Sequence, residues 1–292
     1  MMLVVALLVA WLVAVLVTAG LDRVQAFFTP AWLVRLLGLG ASVLALTTAT
    51  SLLAAVCLAG ERLGLSVPAL CAVLGVAVLL AAWRPVRHGV RMARSRRRAA
   101  TFRSHGSGGV LLVRDPVPEA FAVPGGAGVV VVTTGLRDAL SPTEFSAVLR
   151  HEFAHLRFHH HVFVQLVELA ASLNPLLRRW CGAVRFAVER HADECAARSG
   201  REVASRALAK VAVLSASSRG STPFGLGIGG DAEAVVRRVM ALREPRPPRQ
   251  RVVPVLAAML ALLVVVVDLD VTADVIQDRI ALQPGEVVVF GP

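Results

Sequence analysis

Charged residues are scarce in this 292-residue chain, where they make up 17% of the sequence against 56% for hydrophobic residues. The mean hydropathy is +0.67. An ordinary soluble domain is about 45–50% apolar. The composition therefore excludes an ordinary soluble domain and favours a membrane protein.

Lysine is almost absent, since Lys210 is the only one, and arginine carries the formal net charge of +11. A strongly basic chain can bind nucleic acid or a membrane surface. Here the arginines cluster beside apolar segments, which favours the membrane surface. We expect the lipid bilayer as a partner and no direct contact with nucleic acid.

Cysteine is also rare, with four residues and no CxxC spacing. This excludes a zinc ribbon and a dithiol redox motif. The simplest interpretation is four reduced, packed thiols, at Cys57, Cys71, Cys181 and Cys195.

Long uncharged runs indicate the membrane segments. Residues 1–21, 36–60 and 63–83 each supply the roughly 20 apolar residues that a helix needs to cross the bilayer. A shorter fourth run, 252–267, lies at the lower limit for a span. The first run resembles a signal peptide in length but lacks the basic start of one. We therefore predict four spans, the first being a retained anchor.

Arginines flank the segment between spans three and four, and the tail after span four is acidic. Basic residues near short apolar segments mark the cytoplasmic side. The segment is therefore predicted to be cytoplasmic, with the N-terminus and the tail outside. The arginines concerned are Arg84, Arg87, Arg91, Arg94, Arg96, Arg97, Arg98, Arg103, Arg243, Arg246, Arg249 and Arg251.

The cytoplasmic segment predicts a mixed domain. β-Branched runs predict strands at 110–113 and 129–134, the second following a glycine-rich turn. Ser141-Pro142-Thr143-Glu144 combines a capping serine, a first-turn proline and a glutamate three residues on, which predicts a helix start. That helix should continue to about 160. Further helices are expected at about 162–173, 174–200, 201–217 and 231–242, with a mobile loop at 218–230 and a proline-rich linker at 245–248.

The run His151-Glu152-Phe153-Ala154-His155 carries the chemistry. Histidines four apart on a helix lie on one face, where both can bind one zinc ion. Glu152 is then the catalytic base, which takes a proton from a water molecule at the metal. The alternative is the polar face of a solvated helix.

A catalytic zinc ion needs a third protein ligand and an open fourth position. Glu189 is the favoured candidate, and Asp193, one turn later, can fix the tautomer of a ligand histidine. His161 remains the alternative, at the spacing of HExxHxxGxxH enzymes. Phe158 stands where those enzymes have a turn-forming glycine, which weighs against His161. We interpret His159, His160 and His161 as helix-end residues that suit the helix dipole.

These motifs occur in a familiar order: Pro118 to Ala122, Thr133-Thr134-Gly135-Leu136, Glu144 to His155, and Glu189 with Asp193. The chain resembles the membrane gluzincin peptidases of the HtpX and CAAX-prenyl-protease type. It resembles still more the BlaR/MecR-type antibiotic-sensor metallopeptidases, which have three spans, a cytoplasmic zinc domain and a fourth span. After that span this sequence has only an acidic tail, 269–292, so we do not expect it to sense β-lactams directly.

The resemblance implies one catalytic Zn²⁺ ion bound by His151, His155 and Glu189. It also implies Glu152 as the base and Asp193 as the residue that orients a ligand. Arg238 matches a family arginine that could stabilise the oxyanion, although an arginine on a solvated helix face is an equal alternative.

The predicted architecture is a mainly α membrane protein with about four transmembrane helices and a cytoplasmic α+β zincin-like metalloprotease domain. Its segments are three helices with a basic flank (1–99), the protease domain (100–250), the fourth helix (251–268) and the extracytoplasmic tail (269–292). The strand within 125–134 is either an edge that pairs with an extended substrate or an interior strand.

The predicted function is zinc-dependent cleavage of a cytoplasmic or membrane-proximal protein. The sensor resemblance implies a transcription repressor as substrate, and the HtpX resemblance implies damaged membrane proteins. The alternative from another class is a membrane signalling protein whose zinc domain is structural or regulatory. The sequence makes no prediction of oligomeric state.

Overall fold

A computed structural model describes residues 2–64, 66–103, 109–217 and 232–244. The predicted fourth span and the acidic tail lie outside the described residues. So do the predicted loop at 218–230 and the proline-rich linker at 245–248.

Four helices make up the N-terminal part: α1 (Met2–Ala19), α2 (Leu21–Phe27), α3 (Pro30–Arg62) and α4 (Val67–Arg103). Within the described residues, one stretch near the N-terminus, Pro30–Val56, is long and apolar enough to cross a membrane. It overlaps the predicted second span. The other spans remain predictions, with the first in α1 and the third in the early part of α4.

A three-stranded sheet follows, formed by β1 (Val110–Val113), β2 (Ala120–Val123) and β3 (Val129–Thr133). The strand order is β1-β3-β2, with β1 parallel and β2 antiparallel to β3. Every residue of β3 is buried, as expected for a valine run covered on both faces. The interpretation of 125–134 as an edge is therefore wrong and the interior alternative is confirmed.

Six further helices complete the described chain, and the longest of them agree with the predicted positions to within a few residues. The helix from Pro142 ends at Arg157, three residues earlier than predicted, because His159 adopts a left-handed conformation (φ 51°). The helices are α5 (Thr134–Ala139), α6 (Pro142–Arg157), α7 (His160–Leu173), α8 (Arg178–Ala196), α9 (Arg201–Ser217) and α10 (Ala232–Arg243), with a short 3-10 helix, Pro175–Leu177, before α8 and another, Ala197–Ser199, after it.

Two large hydrophobic clusters hold the described residues together. The first joins α1 and α3 to α7 and α8, through residues such as Leu37, Val167 and Trp180. The second joins the sheet to α6, α9 and α10, through residues such as Val148 and Leu242. Helices α6 and α8 also pack against each other. The interface between these two helices therefore joins the first cluster to the second.

Candidate metal centre

Helix α6 carries the HEFAH run, and a capping box fixes where the helix starts. The Ser141 hydroxyl accepts a hydrogen bond from the Glu144 amide at 3.3 Å, and the Glu144 carboxylate accepts one from the Ser141 amide at 2.9 Å. This capping box satisfies two of the amides that a helix start leaves free. Both His151 and Glu152 are buried, so the predicted alternative of a solvated polar face is wrong.

Helix α8 brings Glu189 to the two histidines, as the sequence predicted. The Nε2 atoms of His151 and His155 are 3.2 Å apart. Glu189 Oε2 lies 3.4 Å from His151 Nε2, and Glu189 Oε1 lies 3.6 Å from His155 Nε2. One ligand atom from each of the three residues lies within 4.8 Å of the others. The three side chains converge on one point.

The donor set and its environment fit a metal ion. Glu189 Oε2 is buried and has no hydrogen-bond partner among the described residues. Such an oxygen is costly to bury unless positive charge lies beside it, and Arg238 Nη1, at 2.9 Å, supplies part of that charge. Two imidazole nitrogens and one carboxylate oxygen are the donors of many catalytic zinc sites. The residues present therefore fit zinc.

Asp193 holds the outer nitrogen of the first histidine. His151 Nδ1 lies 3.2 Å from Asp193 Oδ1. An ionised carboxylate can only accept a hydrogen bond. Nδ1 of His151 therefore carries a proton and donates a hydrogen bond to Asp193. Nε2 of His151, which faces Glu189, is then available to a metal ion. This is the orienting contact that the sequence predicted for Asp193.

Arg238, on α10, is 4% exposed and contacts both carboxylates of the centre. Its Nε and Nη2 donate to Asp193 at 2.8 and 2.7 Å. Its Nη1 lies 2.9 Å from Glu189 Oε2, a close ionic contact without hydrogen-bond geometry. The alternative of an arginine on a solvated helix face is therefore wrong. In this structure Arg238 positions Asp193 and Glu189, and its oxyanion role remains a prediction.

Burial and neighbouring charge shift the pKa values of the centre in opposite directions. Burial raises the pKa of Glu152 to about 7, although the charge of His151 opposes the shift. Burial also disfavours ionised Glu189, but in the metal-free protein the protonated His151 ring and the charge of Arg238 outweigh it and lower the Glu189 pKa. Glu152 is therefore suited to carry a proton near neutral pH, and Glu189 to remain an anionic ligand.

Two histidines that sequence reasoning missed extend the site. His160 Nδ1 lies 3.1 Å from His155 Nδ1, and His160 Nε2 lies 3.0 Å from His191 Nδ1. When Nε2 of His155 faces a metal ion, its Nδ1 carries the proton and donates to His160. His160 then donates from Nε2 to His191. This fixes all three tautomers.

The predicted interpretation of His160 as a residue suited to a helix dipole is wrong. His160 is the first residue of α7, and the start of a helix disfavours a cation. Burial lowers the His160 pKa to about 2, so the ring is neutral. Only the proximity of His160 to His155 in sequence hinted at this contact, since His191 is 31 residues away.

His161, the alternative third ligand, is not in the cluster of metal-directed groups. It lines a cavity of about 470 Å³ together with Arg150, Phe153 and Arg157. On a helix, positions 150, 153 and 157 lie on the opposite face from 151 and 155. This cavity is therefore separate from the metal centre.

Comparison with known proteins finds a peptidase family over the segment that contains HEFAH. Residues 90–180 match Peptidase family M48. The match covers about a third of the chain, includes HEFAH and ends before Glu189. The chain is also 52% identical over 50 residues to Protease HtpX homolog 2 from Methanosarcina mazei. That match covers 16% of this chain and 17% of the relative. No solved structure matches.

Proposed function

We propose that this chain is a zinc-dependent integral-membrane endopeptidase. The observation that carries the proposal is the convergence of His151, His155 and Glu189, with Glu152 buried on the next position of the same helix. The matches to Peptidase family M48 and to a protease support a metallopeptidase. A closed structural site would need no carboxylate such as Glu152.

His151, His155 and Glu189 would hold the metal ion. Bound zinc supplies a Lewis acid that polarises a carbonyl and lowers the pKa of a water molecule. Glu152 takes a proton from the attacking water and then gives it to the leaving amine of the cleaved peptide. The burial that raises its pKa suits both transfers. Asp193 and His160 keep the proton on Nδ1 of each ligand histidine during this cycle.

Strand β2 is the place where an extended substrate would bind. Among the described residues β2 pairs with β3 only, so no described strand pairs with its other edge. It packs against α6, and the Ala122 backbone amide hydrogen-bonds to Glu152 and lowers the pKa of its carboxyl. A peptide added to this edge would pass beside the general base. The pairing role predicted for 125–134 thus passes to β2.

The membrane location rests on the apolar composition and on the candidate span in α3. The flanking arginines support a cytoplasmic protease domain. The charge of Arg35, at the start of α3, acts on His191 beside the centre. The centre is thus near the end of α3 that the predicted topology puts in the cytoplasm.

Two substrate classes follow from the sequence resemblance, a transcription repressor and damaged membrane proteins. Quantitative proteomics of cells that carry the wild-type chain or Glu152→Gln separates them. Stabilisation of one repressor supports the regulatory role. Broad accumulation of membrane proteins supports quality control.

The direct test compares purified wild-type protein with Glu152→Gln in zinc content and in cleavage of casein. We expect the variant to retain zinc and to lose cleavage by at least about a hundredfold, the scale of general-base catalysis. Glu202→Gln, an exposed substitution on α9, is the control and should leave both unchanged. Full activity in Glu152→Gln would refute the proposed mechanism.

A further inference from the structure

Helices α7 and α8 form a helical hairpin that lies along the candidate membrane span. Helix α7 leads away from the metal centre and packs along α3. Phe163 packs on Gly38, and Asn174 Nδ2 donates to Thr48 Oγ1 at 3.1 Å. Helix α8 returns towards the metal centre, and its Trp180 packs beside Gly40. The hairpin therefore lies along the first half of the predicted second span, the half in the leaflet that faces the protease domain.

The contact between the hairpin and the N-terminal helices is close and specific. A Cβ atom added at Gly38 would lie 2.6 Å from the Phe163 ring, so the approach requires glycine. Trp180 Nε1 donates to Thr18 Oγ1 at 3.0 Å, in a buried hydrogen bond. Small residues and buried polar contacts of this kind are typical of helix packing within membranes.

The tip of the hairpin, residues 169–179, has an apolar surface that no described residue covers. Leu169, Leu173 and Leu176 are 38%, 41% and 38% exposed. Arginines border this surface at Arg178 and Arg179, both exposed, and Arg179 Nη2 also lies 3.7 Å from Asp22 Oδ2. Exposed leucines beside exposed arginines are the pattern of a segment that dips into one membrane leaflet, with the arginines directed to anionic headgroups.

Helix α4 indicates the level of the tip. His88 Nε2 lies 3.8 Å from Glu168 Oε2, between α4 and α7. Asn174 is six residues beyond Glu168, and Trp83 is five residues before His88, so they lie about 9 and about 7.5 Å along the chain from that contact. Trp83 and Arg84, both exposed, end the predicted third span, and tryptophan and arginine prefer the membrane interface.

We propose that the hairpin tip inserts Leu169, Leu173 and Leu176 into the lipid leaflet that faces the protease domain. This inference rests on the proposed membrane peptidase. Glu189 is eleven residues along α8 from Arg178, so the metal centre stands about 17 Å from the tip. The substrates are therefore proteins whose scissile bond lies in a segment close to the bilayer, where the metal centre can reach it.

Fluorescence quenching tests the insertion without any need for proteolysis. The full chain, with its four native cysteines replaced by alanine, would carry a bimane label at Leu173→Cys or Leu176→Cys in vesicles of phosphatidylcholine and phosphatidylglycerol. The control is Val213→Cys on α9, at a site 70% exposed. We expect nitroxide lipids to quench the tip labels and aqueous iodide to quench the control.

Two results would overturn the insertion. Tip labels as accessible to iodide as the Val213 label would place the tip in water. Tip labels shielded from iodide but not quenched by nitroxide lipids would show that protein, such as a second copy of the chain, covers the tip.

A cleavage assay tests the effect on substrate choice. One substrate is a free casein segment, and the other is the same segment fused close to a transmembrane helix. In the double variant Leu173→Asp, Leu176→Asp, both leucines lose their apolar contact with the lipid. We therefore expect cleavage of the tethered segment to fall about tenfold. Cleavage of the free segment should stay within about twofold of wild type.

The control variant is Val213→Asp, which should cleave both segments as wild type does. An equal effect of the double variant on both segments, or no effect on either, would contradict the proposed role of the tip. If wild-type protein cleaves neither segment, the peptidase proposal fails, and the quenching measurement alone decides the insertion.

Discussion

The guanidinium of Arg238 forms two parallel hydrogen bonds with the buried carboxylate of Asp193, at 2.8 and 2.7 Å. Asp193 in turn contacts His151 Nδ1 at 3.2 Å. Three helices, α10, α8 and α6, are thus connected in series through one buried carboxylate. The orientation of a zinc-directed histidine therefore depends on a residue far away in sequence.

Loss of Arg238 should destabilise the fold, because the buried carboxylate of Asp193 and the partly exposed carboxylate of Glu189 would lose the guanidinium that pairs with both. Removing one partner of a buried ion pair costs about 3–5 kcal/mol. We expect Arg238→Met to lower the thermal unfolding midpoint of the metal-free protein in detergent. Arg243→Met, exposed on the same helix, should change it little. Equal midpoints for the two variants would show that the buried pair contributes no stability.

His160 should control zinc affinity without binding zinc. In His160→Ala the Nδ1 atom of His155 loses its acceptor, and such losses reduce metal affinity about 10–100-fold. Chelator competition measures the affinity. His159→Asn is the matched control, since His159 is exposed and asparagine tolerates its left-handed conformation. An unchanged affinity in His160→Ala would mean that the tautomer of His155 is set elsewhere.

Gly135 and Gly182 should respond oppositely to alanine. A Cβ atom at Gly135 would lie 2.1 Å from the Pro116 carbonyl oxygen, whereas Gly182 has nothing within 4 Å. We expect Gly135→Ala to abolish or strongly reduce the yield of folded protein. Gly182→Ala should stabilise α8 by about 0.5–1 kcal/mol. Thermal unfolding checks both, and a well-folded, unchanged Gly135→Ala protein would contradict the close approach.

The cap of α6 should add stability that depends on pH. Ser141→Ala should cost about 1 kcal/mol. Hydrogen bonds from Ser141 lower the pKa of Glu144 below 4.5. The Glu144 contribution is therefore fully present above pH about 4.5 and is lost as pH falls through the lowered folded-state pKa. Unfolding of wild type and Glu144→Gln at pH 7 and below pH 4 checks this, and a constant difference between the two would count against the cap.

The sequence predicts the parts of the site that local signals determine. The capping residues at Ser141 and Glu144 place the start of α6, and the spacing of His151 and His155 puts both on one face. The valine run predicts β3. Glu189 and Asp193 could be named because their i, i+4 spacing complements the paired histidines.

Tertiary contacts determine the parts that the sequence did not predict. The end of α6 depends on a left-handed histidine, His159, which carries no glycine signal. Strand β2 lies between Pro118 and Pro124 and forms only because β3 pairs with it. His160 meets His191 through the packing of α7 on α8, and Arg238 is buried by the packing of α10.

X-ray absorption at the zinc edge of the zinc-loaded chain tests the central claim most directly. We predict one zinc ion with two imidazole nitrogens and one carboxylate oxygen from the protein at about 2.0–2.2 Å. The carboxylate contribution should disappear in Glu189→Ala, and the spectrum should not change in His161→Ala. A spectrum that changes in His161→Ala and is unaltered in Glu189→Ala would contradict the account.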